Sequence, residues 1–155
     1  MTCRKRLEKM FREAGIKFSV SKHAEIYSAQ RLAALLHIPG EQMAKVVMVK
    51  ADEEWVMLVL PAPYRLDFSK VKKVLKAKDV RLAKEEEFAG LFPDCEVGAM
   101  PPFGSLYNLR LCVDRALTTQ PEIAFPAGSH REIMRMAYAD FERIAQPIVG
   151  DFSAW

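Results

Sequence analysis

Apolar residues follow two kinds of spacing along this chain, and the alternation between them predicts its elements. Helices are predicted where apolar positions recur every three or four residues between capping and breaking residues, at residues 3–14, 28–36, 67–75, 84–91 and 140–145. Strands are predicted where β-branched and other apolar residues form short runs, at residues 18–20, 44–50, 55–60, 80–82, 109–113, 122–125 and 131–136. The polar connection at residues 51–54 has hairpin length, so the strands on either side of it are expected to pair.

Residues 97–107 interrupt this alternation. They contain two prolines and two glycines and show no clean period, which predicts a constrained loop. No internal repeat, low-complexity tract or linker divides the rest of the chain. The alternating elements predict an α/β fold. We expect a single domain over residues 1–155, with a mixed, mostly antiparallel sheet flanked by helices.

Composition is typical of a soluble globular protein. Half of the 155 residues are apolar, which is enough to bury one core. The longest apolar runs are far too short to span a bilayer, and the basic start leads into no apolar signal segment. We therefore expect a soluble, cytoplasmic protein with no membrane partner. Its 23 basic and 20 acidic side chains give a net charge of +3, which permits a polyanionic partner but falls short of a nucleic-acid-coating protein.

The three cysteines, Cys3, Cys95 and Cys112, are odd in number and widely spaced. Neither a disulfide framework nor a zinc site of the paired-cysteine kind fits that spacing. We expect all three to be reduced and structural.

Lys45 stands at the start of an apolar predicted strand. A lysine there either extends its ammonium into water at the end of the sheet or presents it in a pocket, where it can stabilise negative charge on a substrate or transition state. Lys50 follows on the opposite face of the same strand and is the weaker candidate.

The loop combines prolines, which fix φ, with glycines, which let the backbone approach a ligand closely. It is either a structural turn between core elements or a rigid wall whose backbone groups select a substrate side chain by size and help hold a water molecule. The residues concerned are Gly98, Ala99, Met100, Pro101, Pro102, Phe103 and Gly104.

Gly128, Ser129 and His130 lie between two predicted strands. Gly128 can adopt a positive φ and expose neighbouring amides, and His130 could orient a substrate or share in proton transfer. The alternative is a surface histidine in a turn. His23 and His37 lack metal-like partner spacing and are expected to be structural, unless His23 lines a pocket.

Several familiar catalytic motifs are missing from the sequence: the nucleophile elbow, the P-loop, the dinucleotide fingerprint and the paired histidines of a zincin helix. A lysine-rich helix is either a solvated face or a surface for nucleic-acid phosphates. Its lysines are Lys70, Lys72, Lys73, Lys76 and Lys78.

Three separated motifs occur in a distinctive order: Ala44-Lys45-Val46-Val47, then Val97 to Gly104, then Ala127-Gly128-Ser129-His130. Stretches between them, such as Phe92-Pro93-Asp94-Cys95, fit the same pattern. Together they resemble the YbaK and prolyl-tRNA-synthetase-associated domain family of aminoacyl-tRNA deacylases, over about residues 23–144.

By this resemblance, Lys45 and His130 are catalytic, and residues 98–104, Gly128 and Ser129 bind substrate. The implied reaction is attack of water on the ester that joins an amino acid to the 3′-terminal ribose of a mischarged tRNA, with no metal or other cofactor. Part of the catalysis can come from the tRNA itself. The implied partners are the tRNA and an aminoacyl-tRNA synthetase, and no DNA is expected.

The doubled proline and the Phe103-Gly104 ending differ from the Gly-Gly-Val-Ser-Pro loop of family members that remove cysteine. They are similar to a stand-alone branch with a Gly-Ala-x-Pro-Pro-x-Gly loop. That similarity implies a small amino acid, serine or threonine ahead of alanine, on tRNA for proline or a related residue. Two alternatives stay open: a non-catalytic tRNA- or synthetase-binding module of the same fold, and a hydrolase of free amino-acid esters.

Overall fold

Helices and strands alternate along residues 2–23 and 29–154, which a computed structural model describes. The helices are α1 (Cys3–Glu13), α2 (Ala29–Leu35), α3 (Phe68–Leu75), α4 (Glu85–Phe88), α5 (Arg115–Thr118) and α6 (Tyr138–Ala145). The strands are β1 (Phe18–Lys22), β2 (Ala44–Ala51), β3 (Glu54–Pro61), β4 (Arg65–Leu66), β5 (Val80–Leu82), β6 (Arg110–Asp114), β7 (Glu122–Pro126), β8 (Glu132–Ala137), β9 (Ile148–Gly150) and β10 (Ser153–Ala154).

Side-chain caps determine where two of these helices begin. The Thr2 hydroxyl accepts a hydrogen bond from the Lys5 amide at 3.2 Å, which satisfies one of the unpaired N–H groups at the start of α1. Asp67 does the same for α3, accepting from the amides of Ser69 and Lys70. Both helices then turn an apolar stripe towards a sheet.

The larger sheet has five strands in the order β5-β2-β3-β6-β9. Its centre is the β2–β3 hairpin, paired without interruption from Ala44 opposite Pro61 to Ala51 opposite Glu54. Asp52, in the two-residue connection, has φ 52°, which a tight hairpin turn requires and aspartate tolerates. β5 adds antiparallel to β2, whereas β6 and β9 add in parallel on the other side.

A second, antiparallel sheet has the order β1-β8-β7, and β4 pairs with β10 in a small third one. The two larger sheets meet at a parallel bridge between Met43 and Ala124. This bridge places the start of β2 beside β7, the strand that leads into the turn at residues 127–130.

The two faces of the larger sheet support separate cores. Met48, Met57 and Val59 point into the main core, where they join Phe11 and Phe103. The opposite face packs beneath α3, with Val49, Leu58 and Leu60 against Val71 and Leu75. Alternation of side chains along β2 and β3 produces this division.

The predicted fold class is confirmed, since helices flank mixed sheets in which most strand pairs are antiparallel. Sequence patterns missed α5, β4, β9 and β10, which are two to four residues long and show no apolar period of their own. The predicted second helix began at Ser28, which lies outside the described residues. The loop at residues 97–107 ends in a 3₁₀ turn, Gly104–Tyr107. Within the described ranges, no helix has the length and apolarity needed to cross a membrane.

A buried carboxylate fastens the end of the chain to the larger sheet. Asp114, at the end of β6, is 2% exposed. It accepts hydrogen bonds from the amides of Phe152 at 2.9 Å and Ser153 at 3.0 Å, from the Ser153 hydroxyl at 2.8 Å and from the Ala116 amide at 3.1 Å. The Asp114 carboxylate thus caps α5 and also accepts hydrogen bonds from the backbone at the buried Phe152.

Replacing Asp114 with Ala should lower the free energy of unfolding by about 2 to 4 kcal/mol, because it leaves buried backbone donors without acceptors. Urea denaturation measures this loss. Asp151→Ala is the matched control: its side chain is 70% exposed and pairs with Arg115 at the surface, so we expect a change within about 0.5 kcal/mol. Equal effects of the two variants would contradict the role given to Asp114.

Candidate functional site

The loop and the turn that the sequence singled out are paired through their backbones. The Glu96 amide donates to the Gly128 carbonyl at 2.8 Å, and the Gly128 amide donates to the Ala99 carbonyl at 2.9 Å. A further bond from the Ala99 amide to the Glu96 carbonyl closes the loop on itself at 3.1 Å. Residues 96–99 and Gly128 therefore form one connected unit.

His130 adds two more connections to that unit. Its Nε2 lies 2.8 Å from the Val97 carbonyl oxygen. A carbonyl oxygen only accepts, so Nε2 carries the proton in this contact. The His130 amide also donates to Glu96 Oε1 at 3.2 Å. The side chain is 8% exposed, which excludes the surface-histidine alternative.

Two glycines in this unit have backbone conformations that other residues rarely adopt. Gly98 has φ 86°, and a Cβ added there would lie 3.4 Å from the His130 ring. Gly128 has φ 92°, and a Cβ there would lie 2.4 Å from the Cys3 Cβ. The positive φ favours glycine at both positions, and close packing excludes a side chain at Gly128.

The rest of the loop lies inside the protein. Ala99, Met100, Pro101, Pro102, Phe103 and Gly104 are all buried. The Phe103 ring packs on those of Phe11, Phe125 and Phe141, with centroids 5.4 to 5.5 Å apart. The exposed positions are Glu96 to Gly98, before this buried run, and Ser105 after it. The Gly98 amide lies 3.3 Å from the Met100 sulfur.

Lys45 is half-buried near the start of β2, opposite Leu60 and on the sheet face of Val47 and Val49. Burial lowers the pKa of its ammonium below the ordinary lysine value. The hydrogen bonds that join the loop to the turn do not involve Lys45. Its backbone follows two residues after Met43, which bridges to Ala124 of β7.

Lys50 lies in a different environment. Its ammonium sits 5.0 Å from the centre of the Trp55 ring and 4.0 Å from Glu53. These contacts account for the side chain structurally. The lysines near α3 are exposed, and Lys70 donates to the Ser153 carbonyl at 3.2 Å.

A second polar group, which sequence reasoning missed, lies next to the loop and consists of Asp94, Arg6 and Tyr107. Asp94 accepts from the Arg6 guanidinium and, at 2.9 Å, from the Tyr107 hydroxyl. Despite its partial desolvation, these two donors hold the pKa of the Asp94 carboxyl below its usual value. The motif Phe92-Pro93-Asp94-Cys95 was a signal for Asp94, but nothing in the sequence connected it to Arg6.

The other two histidines differ in position. His23 lies at the end of β1, where its amide donates to the Arg131 carbonyl at 2.9 Å. His23 is therefore a neighbour of the turn that carries His130. His37 is exposed and has φ 55°, as expected of a residue that ends a surface helix.

A cavity of about 790 Å³ adjoins the turn on the side of α1. Gly128, Ser129 and Glu96 line it, together with Cys3 and Cys95. Lys45 and His130 are not among its lining residues, so it lies behind the turn rather than between those two side chains. Over residues 2–23 and 29–154, no cluster of three or more His, Cys, Asp or Glu side chains could hold a metal ion.

Comparison with known proteins gives a family match over most of the chain. The family described as the aminoacyl-tRNA editing domain matches residues 23–144. A proline–tRNA ligase of Thiobacillus denitrificans is 31% identical over 120 residues, which is 77% of this chain and 20% of the ligase. One of Leuconostoc citreum is 28% identical over 126 residues, 79% of this chain and 22% of the ligase. The chain thus spans about a fifth of the length of these curated relatives.

Two solved structures share the fold at low sequence identity. A hypothetical protein superposes with a TM-score of 0.86 and 22% identity, covering 96% of this chain and 99% of its own. A candidate trans-editing enzyme for prolyl tRNA synthetase superposes with a TM-score of 0.83 and 20% identity, covering 100% and 99%. At these identities the likeness establishes the fold alone.

Replacing Lys45 with Met should leave the midpoint of thermal unfolding at pH 7 unchanged or raise it. Methionine keeps the apolar stem and removes an ammonium that burial disfavours. Since the unfolded chain holds this proton more tightly, the native protein should gain stability as pH rises from the lowered pKa to the ordinary one. Lys45→Met has no such proton to release, so its stability should not show this rise with pH.

Circular dichroism against temperature, at pH 7 and in steps towards pH 11, measures both effects. Lys50→Met is the control, and we expect it to lower stability by about 0.5 to 1 kcal/mol through loss of the contact with Trp55. A markedly lower midpoint for Lys45→Met would mean that the ammonium holds the fold together.

Proposed function

The chain belongs to the aminoacyl-tRNA editing domain family, and from that premise we propose that it is a trans-editing hydrolase. Its substrate is a mischarged aminoacyl-tRNA, and it cleaves the ester between the amino acid and the 3′-terminal ribose with water. The observation that carries the proposal is the extent of the family match. Lys45, the loop at residues 98–104 and the turn at residues 128–130 all lie within residues 23–144.

Lys45 supplies positive charge near the ester. Its ammonium contacts the phosphate of the terminal adenosine or the carbonyl oxygen that becomes negative in the transition state. A partly desolvated cation interacts more strongly with such charge than one in bulk water does. The lowered pKa of Lys45 supports this role, because the ammonium regains favourable interactions when an anion binds.

The loop shapes the pocket for the amino-acid side chain. Gly98 faces solvent at the point where the loop meets His130, and its missing side chain leaves room for a small substrate. Buried residues from Ala99 to Gly104 fix the loop from inside, and Gly128 and Ser129 border it on the turn. The contact between His130 and the Val97 carbonyl supports an orienting role for this histidine.

We propose a small amino acid as the substrate, serine or threonine ahead of alanine, on tRNA for proline or a related residue. The Gly-Ala-Met-Pro-Pro-Phe-Gly loop supports a small side chain, as does Gly98, whose φ of 86° favours glycine and where an added Cβ would lie 3.4 Å from the His130 ring. Similarity to a part of proline–tRNA ligases supports the choice of tRNA. The same similarity makes a synthetase the natural second partner.

The proposal predicts release of labelled amino acid from purified tRNA charged with Ser, Thr, Ala or Cys, measured under single-turnover conditions. We expect the native chain to deacylate one or a few of these substrates. Lys45→Ala should lower that rate by about 10²-fold, because it removes charge stabilisation at the reacting centre, while the circular dichroism spectrum stays unchanged.

Lys50→Ala is the matched control, since it removes the same charge from the opposite face of β2. It should deacylate at close to the native rate. No release from any of the four substrates by folded protein would favour the non-catalytic binding module. Equal rates on the full tRNA and on a minimal amino-acid ester would favour a hydrolase of free esters, because remote tRNA contacts would then supply no binding energy.

Gly98→Ala should change which amino acid is accepted. The added methyl group would sit 3.4 Å from the His130 ring, at the solvent-facing end of the loop. We expect the ratio of threonine to alanine deacylation to fall by about tenfold, the usual scale for one methyl group in a pocket. The same single-turnover panel measures this ratio.

Gly15→Ala controls for backbone strain in this variant. Gly15 also has a positive φ, 70°, but an added Cβ would meet nothing within 4 Å. Both variants should therefore lose about 1 kcal/mol of stability, and only Gly98→Ala should change selectivity. An unchanged ratio in folded Gly98→Ala would place the amino-acid side chain elsewhere.

A further inference from the structure

Two of the three cysteines meet beneath the loop, although they are far apart in sequence. The Cys95 sulfur lies 3.1 Å from the Tyr107 hydroxyl oxygen, and the Cys3 sulfur lies 3.6 Å from the same atom. Cys3 begins α1, and Cys95 comes directly before Glu96. Both thiols therefore contact the same hydroxyl oxygen.

The two thiols differ in pKa. A hydrogen bond from Cys95 lowers the pKa of the Cys3 thiol, and the same contact raises the pKa of Cys95. From these directions we assign the first ionisation to Cys3. Cys112, by contrast, is fully buried in the core beneath α3, and burial raises its pKa to about 11.

A small oxidant can reach the pair. Both cysteines line the cavity of about 790 Å³ on the α1 side of the turn. Cys95 is half-buried and Cys3 nearly fully buried, so approach through this cavity admits hydrogen peroxide more readily than a bulky reagent.

We propose that Cys3 and Cys95 are a peroxide-sensitive pair that forms a reversible disulfide and thereby shifts the loop against His130. The Cys3 thiolate attacks one peroxide oxygen and breaks the O–O bond, which leaves a sulfenic acid on Cys3. The other oxygen leaves as hydroxide and becomes water by taking up the proton that the Cys3 thiol had lost. The Cys95 sulfur then displaces the second oxygen as water and forms the S–S bond. Two thiols are oxidised, and one peroxide is reduced to two waters.

The disulfide would act on the loop through short connections. An S–S bond is about 2.05 Å long, so its formation draws the two free thiol sulfurs together beside the Tyr107 hydroxyl. Cys95 would pull on Glu96, whose amide and carboxylate hold Gly128 and His130. Cys3 packs directly against Gly128. The effect on deacylation rests on the function proposed above, whereas the thiol chemistry does not.

Mass spectrometry of the full chain after brief exposure to hydrogen peroxide tests the chemistry. We expect a loss of two hydrogen atoms, a fall from three titratable thiols to one, and a Cys3–Cys95 cross-link in the peptide map, all reversed by dithiothreitol. Cys112→Ser should behave like the native chain. Cys95→Ser, and Cys3→Ser as a second variant, should form no intramolecular disulfide. Oxygen added to a single cysteine, or a disulfide between chains, would overturn the proposal.

The His130 ring signals in NMR spectra test the connection to the loop without relying on activity. They should shift between the reduced and oxidised native chain and stay fixed in Cys95→Ser under peroxide. Identical His130 signals in both redox forms would overturn the connection. Deacylation should fall at least threefold on oxidation and recover on reduction. A reduced protein that deacylates nothing would refute the proposed function. The mass spectra would still test whether the disulfide forms, and the NMR shifts would still test whether it moves the loop against His130.

Discussion

The candidate site depends on the pairing of two chain segments that are distant in sequence, residues 96–99 and 128–130. A proline-rich loop satisfies only some of its own backbone groups, because it forms little regular structure and prolines lack an N–H. Gly128 satisfies two of them, as both donor and acceptor, and His130 satisfies a third. The loop is therefore held rigidly, and its exposed groups keep fixed positions, as stabilisation of developing charge requires.

The start of β2 carries a partly desolvated charge, at some expense in stability. The parallel bridge between Met43 and Ala124 brings the start of β2 to the strand that leads into the turn. Lys45 is thereby held half-buried, where desolvation lowers its pKa. Fixing an ammonium in such a place does not help the chain to fold. Such a local conflict is typical of sites that are kept for function.

The spacing of apolar residues and the helix caps predicted the parts of the fold that depend on interactions between residues close in sequence. The hairpin of β2 and β3 and the helices α1 and α3 lie close to their predicted positions, because apolar spacing and caps specify them. The pairing of residues 96–99 with Gly128 could not be predicted. Both segments are irregular, so their backbone hydrogen bonds correspond to no period of apolar residues in the sequence. By resemblance to the family, Gly98 to Gly104 were predicted to bind substrate together. The structure divides them into a solvent-facing glycine and a buried remainder, because Phe103 belongs to the aromatic core.

The most direct test of a single substrate site is binding of 3′-serylamino-3′-deoxyadenosine, in which an amide replaces the ester and resists hydrolysis. NMR spectra of the labelled chain would be recorded during titration with this compound. We expect the largest shifts at the Lys45 side chain, the Gly98 amide and the His130 ring, with Lys50 unaffected. Saturable binding that shifts other residues and leaves these three unchanged would contradict the site.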